Sequence, residues 1–139
     1  MSAACKPTPN TTMKPIAITL GDPAGIGPEI ITKAFRDAPQ VLQNCFVAGD
    51  LATLRRAAQF TSVPGQPAMP VALMASLDQL PSVPPRCIPL LQVTQQLEPI
   101  ALGRVSSLAG QAAAQCVQWA ARAALRGKLA AMVTAPLNK

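Results

Sequence analysis

The sequence contains no histidine and no tyrosine, and it has one tryptophan and three phenylalanines in 139 residues. Without histidine a zinc site is not expected, and the cysteines, at positions 5, 45, 87 and 116, include no Cys-x-x-Cys pair that could supply one. We expect Cys45 and Cys116 to be small core residues rather than nucleophiles. Because aromatic residues make up only 3% of the chain, the core must consist of Ala, Leu, Val and Ile.

Long apolar runs are absent too. None approaches the ~20 residues that a membrane span requires, so no membrane partner is expected. Residues 1–12 are polar, contain two prolines and lack the apolar region of a secretory signal, which predicts a disordered leader. The remainder, 13–139, is hydrophobic enough to form a core. These features favour a cytoplasmic, reduced protein.

The chain has few charges, at 13%, but they are unbalanced and give a net charge of +6. The basic residues are scattered and no aromatics lie between them, so we expect no nucleic-acid partner. A basic surface can instead help to attract a phosphorylated small-molecule substrate.

Apolar runs alternate with amphipathic stretches, which predicts an α/β fold with a mostly aliphatic sheet flanked by helices. Strands are predicted at 14–20, 44–48, 71–74, 87–93 and 129–133, and helices at 28–38, 51–59 and 106–126. Pro89 makes the fourth strand an edge strand, whereas the fifth reads as a core strand. Asp50 is the predicted N-cap of the second helix, and Gly127 ends the third.

The faces of two helices can also be predicted. The first helix should bury Ile30, Ile31, Ala34 and Phe35 and expose Thr32, Lys33 and Arg36. The third should expose a stripe of Gln and Arg and bury small residues, at positions 109, 113, 116, 120 and 124.

Residues 19–29 read Thr-Leu-Gly-Asp-Pro-Ala-Gly-Ile-Gly-Pro-Glu and directly follow an apolar run, which predicts a strand, a glycine turn and a helix start. The glycine spacing fits neither the Rossmann fingerprint nor the P-loop. Four residues are candidates for binding substrate or cofactor: Asp22, Gly25, Gly27 and Glu29. Alternatively, the turn is only a tight connection, in which Asp22 bonds the turn backbone and Glu29 complements its helix dipole.

Residues 132–139 read Met-Val-Thr-Ala-Pro-Leu-Asn-Lys and emerge from the carboxyl end of the last predicted strand. Open α/β sheets bind their ligands at that edge. Thr134 offers a hydroxyl, Asn138 an amide and Lys139 a cation for a phosphate or carboxylate. The alternative is a loop that only caps the strand.

These two stretches resemble the first and last motifs of the amino-terminal portion of the 4-hydroxythreonine-4-phosphate dehydrogenase family. Val47-Ala48-Gly49-Asp50 and Gly103-Arg104-Val105-Ser106 resemble two further motifs in the same order, so the resemblance covers 13–139. It implies the fold of the isocitrate and isopropylmalate dehydrogenases. Their own shorter string, Gly-Asp-Gly-Ile-Gly-Pro-Glu, lacks Pro23-Ala24 and is the more distant match.

The resemblance also implies a function: NAD(P)-dependent oxidation and decarboxylation of 4-phosphohydroxy-L-threonine to 3-amino-2-oxopropyl phosphate, in pyridoxal phosphate (vitamin B6) biosynthesis. The family works as a homodimer with a divalent metal (Zn, Mg or Co) that is held by histidines beyond the Asn-Lys signature. The metal- and cofactor-binding part is therefore expected to be absent, the chain is expected to be an inactive fragment, and no catalytic residue can be named. The alternatives are a paralogue acting on phosphothreonate or phosphoerythronate, and a naturally short, non-catalytic binding protein.

Overall fold

The aliphatic runs form one five-stranded sheet in which all paired neighbours are parallel. The structure, a computed structural model, describes residues 13–138. Its strands are β1 (Ile16–Thr19), β2 (Cys45–Gly49), β3 (Val71–Met74), β4 (Ile88–Gln92) and β5 (Ala131–Thr134). Their order across the sheet is β3-β4-β2-β1-β5. The predicted leader at 1–12 and the candidate Lys139 lie outside the described residues.

Three helices cover the sheet: α1 (Gly27–Asp37), α2 (Leu51–Phe60) and α3 (Ser107–Leu125). A 3-10 helix at Leu77–Ser82, which the sequence did not predict, joins β3 to β4. The buried strand β2 divides two cores, because successive side chains of a strand point to opposite faces. Val47 packs with α1 and α2, whereas Phe46 packs with α3. The predicted α/β architecture with an aliphatic sheet flanked by helices is confirmed.

The caps predicted for two helices are present. The Asp50 carboxylate accepts from the Thr53 backbone N–H at 2.9 Å, as an N-cap should. At the end of α3, Gly127 has φ +72° and donates to Ala124 O, while Lys128 donates to Ala123 O. These two bonds form a Schellman motif, for which glycine is preferred at this position.

Two predicted strand positions are wrong. β4 is not an edge strand, because it lies between β3 and β2. A proline within a strand cannot donate a ladder hydrogen bond. Pro89 is paired with Ala72 of β3, whereas pairing with β2 begins at Leu90, one residue later. β5 is not a core strand, because it lies at the end of the sheet and three of its four residues are exposed.

The predicted face of α1 is also partly wrong. Thr32 is buried, with 1% of its surface exposed, whereas Ile30 is 44% exposed. The Thr32 hydroxyl bonds Glu29 O and lies 2.9 Å from the Thr61 hydroxyl at the end of α2. This polar contact between helices satisfies a buried group that hydrophobic periodicity places outside. The small-residue face predicted for α3 is buried except for Ala124, which is half-buried.

Candidate binding edge of the sheet

The loops that follow β1 and β5 meet at the carboxyl edge of the sheet, since the two strands are parallel neighbours. The Asp22 N–H donates to Pro136 O at 3.1 Å, and the Ala135 N–H donates to Thr19 O at 3.2 Å. The structure therefore joins the first and last sequence motifs directly.

Glycines permit this contact. Gly21 has φ +77°, and a Cβ there would lie 2.7 Å from Pro136 O. A Cβ on Gly27 would lie 2.7 Å from Leu20 O and 3.2 Å from the Ala135 Cβ. Real Cβ atoms do not come so close to backbone oxygens, so protein packing alone is enough to require glycine at both positions.

Asp22 is 9% exposed and shapes the turn. Its Oδ1 accepts from the Ala24 N–H at 2.8 Å, and its carbonyl accepts from the Gly25 N–H at 3.0 Å. The turn-bonding role that the sequence allowed for Asp22 is thus present. The same side chain also borders open space, so the structural role does not remove it from the candidate site.

The third motif, Gly103-Arg104-Val105-Ser106, also lies at this edge of the sheet. The Gly103 N–H donates to Ala24 O at 2.8 Å, which brings residues 103–106 against the glycine loop. Ser106 then caps α3, because its hydroxyl accepts from the Ala109 N–H at 3.1 Å. Three motifs that are far apart in the sequence therefore converge at one edge.

Two small adjoining clefts lie between these motifs, with volumes of about 200 and 230 Å³. Both are bordered by the same four residues: Asp22, Val105, Leu137 and Asn138. The first cleft also reaches Ser106 and the start of α3, and the second reaches Gly25 and Arg104. Each cleft combines apolar walls with a few polar groups, as small-molecule sites do, but each is smaller than most such sites.

The clefts bring together some of the sequence-predicted candidates and leave others apart. Asp22, Gly25 and Asn138 line them. Glu29 lies elsewhere, in a narrow crevice that also contains Arg56. Thr134 is exposed at the end of β5, opposite Thr19 in the sheet, and borders neither cleft among the described residues. Their assignment as binding residues stays a prediction.

Arg104, Val105 and Ser106 were not predicted as site residues. Their sequence signal was present, because they form the Gly-Arg-Val-Ser stretch that carries part of the family resemblance. Nothing in their spacing showed that this stretch folds back onto the glycine loop.

In the second motif, Val47-Ala48-Gly49-Asp50, the role of Asp50 is structural. Asp50 is 1% exposed, and both its oxygens are engaged. Oδ2 accepts from the backbone and hydroxyl of Thr53, and Oδ1 accepts from Gln92 Nε2 at 2.9 Å and from the Leu97 N–H at 3.2 Å. Asp50 therefore ties α2 to β4 and to the segment that follows it, and has no role in the clefts.

The buried cysteines match their predicted core role. Burial raises the pKa of Cys116 to about 11, and burial also raises the pKa of Cys45. A thiol is nucleophilic only as the thiolate, so neither group is prepared for nucleophilic catalysis at neutral pH. Cys5 lies outside the described residues.

No group of three metal-ligating side chains occurs among residues 13–138, and the whole sequence has no histidine. The residues present therefore do not fit a divalent metal. Within the same described range, no helix combines the length and apolar character needed to cross a bilayer.

Comparison with known proteins identifies the relatives of this chain. The family model described as pyridoxal phosphate biosynthetic protein PdxA matches residues 41–139. A 4-hydroxythreonine-4-phosphate dehydrogenase from Trichlorobacter lovleyi is 36% identical over 94% of this chain. A D-threonate 4-phosphate dehydrogenase from Salmonella typhimurium is 39% identical over 91% of it. The chain spans 38% of the length of each.

A solved structure supports the same family assignment. A putative 4-hydroxythreonine-4-phosphate dehydrogenase from Salmonella typhimurium is 36% identical and superposes with a TM-score of 0.74, covering 91% of this chain and 39% of its own. The predicted resemblance and the predicted fold class, the isocitrate and isopropylmalate dehydrogenase-like fold, are confirmed.

Proposed function

This chain belongs to the family of the pyridoxal phosphate biosynthetic protein PdxA, and from that premise we propose that it forms one wall of the active site of an NAD(P)-dependent dehydrogenase. The proposed substrate is 4-phosphohydroxy-L-threonine. The observation that carries the proposal is the convergence of three separate motifs on two clefts that share Asp22 and Asn138.

In the proposed reaction, the secondary alcohol of the substrate is oxidised to a ketone. Its hydride passes to NAD⁺ or NADP⁺ and its hydroxyl proton is released. The resulting 3-oxo acid loses carbon dioxide to give 3-amino-2-oxopropyl phosphate. The proposal includes the cytoplasm as the site of the reaction and a homodimer as the working form.

The chain's own contribution is binding and orientation. Asn138 can donate and accept hydrogen bonds at the mouth of both clefts, and Asp22 can accept from a ligand hydroxyl or amine. Arg104 supplies a cation beside the second cleft, and Lys139 follows Asn138 directly in the sequence. A cation beside the cleft favours a phosphorylated ligand over a neutral one. Thr134, Glu29 and Gly27 remain candidates on sequence grounds alone.

Neither cleft could enclose a whole dinucleotide, because ligand sites usually measure roughly 300–1,000 Å³. We therefore assign most of the cofactor site to residues outside these two clefts. The same holds for the divalent metal, for which the described residues offer no ligand set.

A second substrate deserves equal testing, because the Salmonella relative named for D-threonate 4-phosphate is 39% identical to this chain. The two molecules share the phosphate, the carboxylate and the secondary alcohol. They differ at the neighbouring carbon, which carries an amine in one and a hydroxyl in the other.

A chimera tests the proposal. Residues 13–139 of this chain would replace the corresponding part of the Trichlorobacter enzyme, and turnover of both phosphorylated substrates would be measured with saturating NAD⁺ and metal. We expect activity, with the ratio of the two kcat/KM values indicating the substrate. A folded chimera that oxidises neither substrate would refute the proposed function and favour a non-catalytic binding protein.

Lys139→Ala in this chimera should lower kcat/KM about tenfold to a hundredfold, since a charge-assisted hydrogen bond is worth roughly 1.5–3 kcal/mol. Lys128→Ala is the matched control, because Lys128 is exposed at the opposite end of β5. Equal activity of the two variants would show that the terminal loop is structural.

A further inference from the structure

Arg56 connects the two loops that form the clefts. Its Nη1 donates to Ile100 O at 2.7 Å, and its Nη2 donates to Pro23 O at 3.2 Å. Pro23 belongs to the glycine loop after β1, and Ile100 belongs to the segment 93–106, which leads to α3. One guanidinium thus bonds main-chain oxygens of two segments that are more than 70 residues apart in the sequence.

The segment 93–106 needs such a contact. It contains no helix or strand, so its position depends on bonds to neighbouring elements. Asp50 fixes it near its start, through Leu97, and Ala24 fixes it near its end, through Gly103. Arg56 bonds it between these two points. Long irregular segments held in this way within a compact domain are commonly functional.

The contacts of Arg56 suit a role in positioning the two loops better than a role in an ion pair. Arg56 is half-buried and lines a crevice with Pro23, Gly25 and Leu102. The ion pair found among residues 13–138 joins Arg36 to Asp37 and does not include Arg56. The planar fork of arginine can reach two oxygens in fixed directions, which a lysine ammonium on its flexible stem cannot do in the same way.

The helix that carries Arg56, α2, is held firmly in place. α2 is capped by Asp50 and packs its buried residues Leu54, Ala57 and Ala58 against the core. Arg56 projects from this helix, so its reach is set by a fixed element rather than by another loop.

We propose that Arg56 is a positioning residue that holds the glycine loop and the segment 93–106 in register, so that Gly103-Arg104-Val105-Ser106 faces Asp22 across the clefts. The inference rests on the proposed function for its purpose, because the clefts matter only if they bind a ligand. Its structural content can be tested without any ligand or turnover.

The test is site-resolved amide hydrogen exchange on the 139-residue chain, comparing wild type with Arg56→Ala, Arg56→Lys and Arg55→Ala. The reporter is the Gly103 N–H, which donates to Ala24 O across the two loops. The internal reference is the Val47 N–H in the buried strand β2. Arg55 is the matched control, because it is the adjacent arginine and is exposed.

Arg56→Ala should speed exchange at Gly103 about tenfold to a hundredfold, as expected for losing hydrogen bonds from a charged donor, and should leave Val47 unchanged. Arg56→Lys should recover part of the protection, and Arg55→Ala should match wild type. Unchanged protection at Gly103 in Arg56→Ala would overturn the proposal. Loss of protection at Val47 to the same extent would also overturn it, because Arg56 would then be a general stabilising residue.

These outcomes do not depend on whether the proposed function is correct. An inactive chimera would refute the dehydrogenase assignment while exchange at Gly103 still decided the role of Arg56. An active chimera with unchanged Gly103 exchange would refute the positioning role alone.

Discussion

At the scale of single residues, the glycines and Asp22 show that a motif can serve packing and binding at once. Gly21 and Gly27 allow two backbone segments to approach more closely than any side chain would permit. Gly25 differs, because its nearest neighbour would be 3.4 Å from an added Cβ, which is an ordinary contact. Of the glycines in the motif, Gly25 is therefore the one that packing does not require and that also borders a cleft.

The space around each glycine predicts opposite effects of substitutions at Gly27 and Gly110 on stability. Gly27→Ala should lower the free energy of unfolding by about 1–3 kcal/mol, the usual cost of overpacking, because the new methyl group meets Leu20 O. Gly110→Ala should raise it by about 1 kcal/mol. Gly110 lies within α3, an added Cβ would meet no atom within 4 Å outside its chain neighbours and its own helix backbone, and alanine has the better helix propensity. Urea unfolding midpoints measure both changes.

The two substitutions control for each other, since each adds one methyl group to a glycine in a helix. If Gly27→Ala unfolded at the same urea concentration as wild type, the close approach of Gly27 to Leu20 O would not exist in solution.

At the scale of elements, local patterns predicted most of the structure, and the errors have a common origin. All five strands and three helices are present, with bounds within a few residues of those predicted, because aliphatic runs, caps and glycine stops are local signals. The edge assignment of β4 failed because only the strand order shows that β4 lies between two neighbours and that its pairing with β2 starts at Leu90, one residue after Pro89. The exposure of Ile30 was missed because a contact between α1 and α2 buries Thr32 instead.

The site was predicted only in part for the same reason. Asp22, Gly25 and Asn138 were predicted from their motifs and line the clefts, and their role in binding stays a prediction. Arg56 carried no motif signal, because its function in the structure depends on carbonyl oxygens of Pro23 and Ile100, and any residue type can supply a carbonyl.

The Asp50 network supplies a test at this scale. Asp50→Asn should destabilise the chain by about 1–3 kcal/mol, because an amide group must point one N–H₂ at a buried donor, either at Thr53 or at Gln92 and Leu97. Asp78→Asn is the matched control and should have no measurable effect, because Asp78 is exposed. Equal unfolding midpoints for the two variants would contradict the assignment of Asp50 as the residue that ties these elements together.

At the scale of the whole molecule, the two edges of the sheet differ, because β5 is more exposed than β3. The clefts lie at the carboxyl ends of β1 and β5, where parallel sheets bind ligands. β5 is an edge strand with three exposed residues, and Val133 is 53% exposed. The chain spans 38% of the length of these relatives.

The 139-residue chain by itself should therefore show no NAD(P)-dependent turnover of 4-phosphohydroxy-L-threonine or D-threonate 4-phosphate at any concentration of Zn²⁺, Mg²⁺ or Co²⁺. The physical reason is that its described residues include no metal-ligand cluster and that the two clefts where the motifs meet are too small for a dinucleotide. Absorbance at 340 nm measures reduced cofactor, and the Trichlorobacter enzyme serves as the positive control.

Gly27→Ala, run in parallel, separates activity of the chain from contamination by a host enzyme, since contaminating activity would not respond to a change in this chain. Turnover that falls with Gly27→Ala would belong to the chain and would show that it holds metal and cofactor by means that its described residues do not reveal.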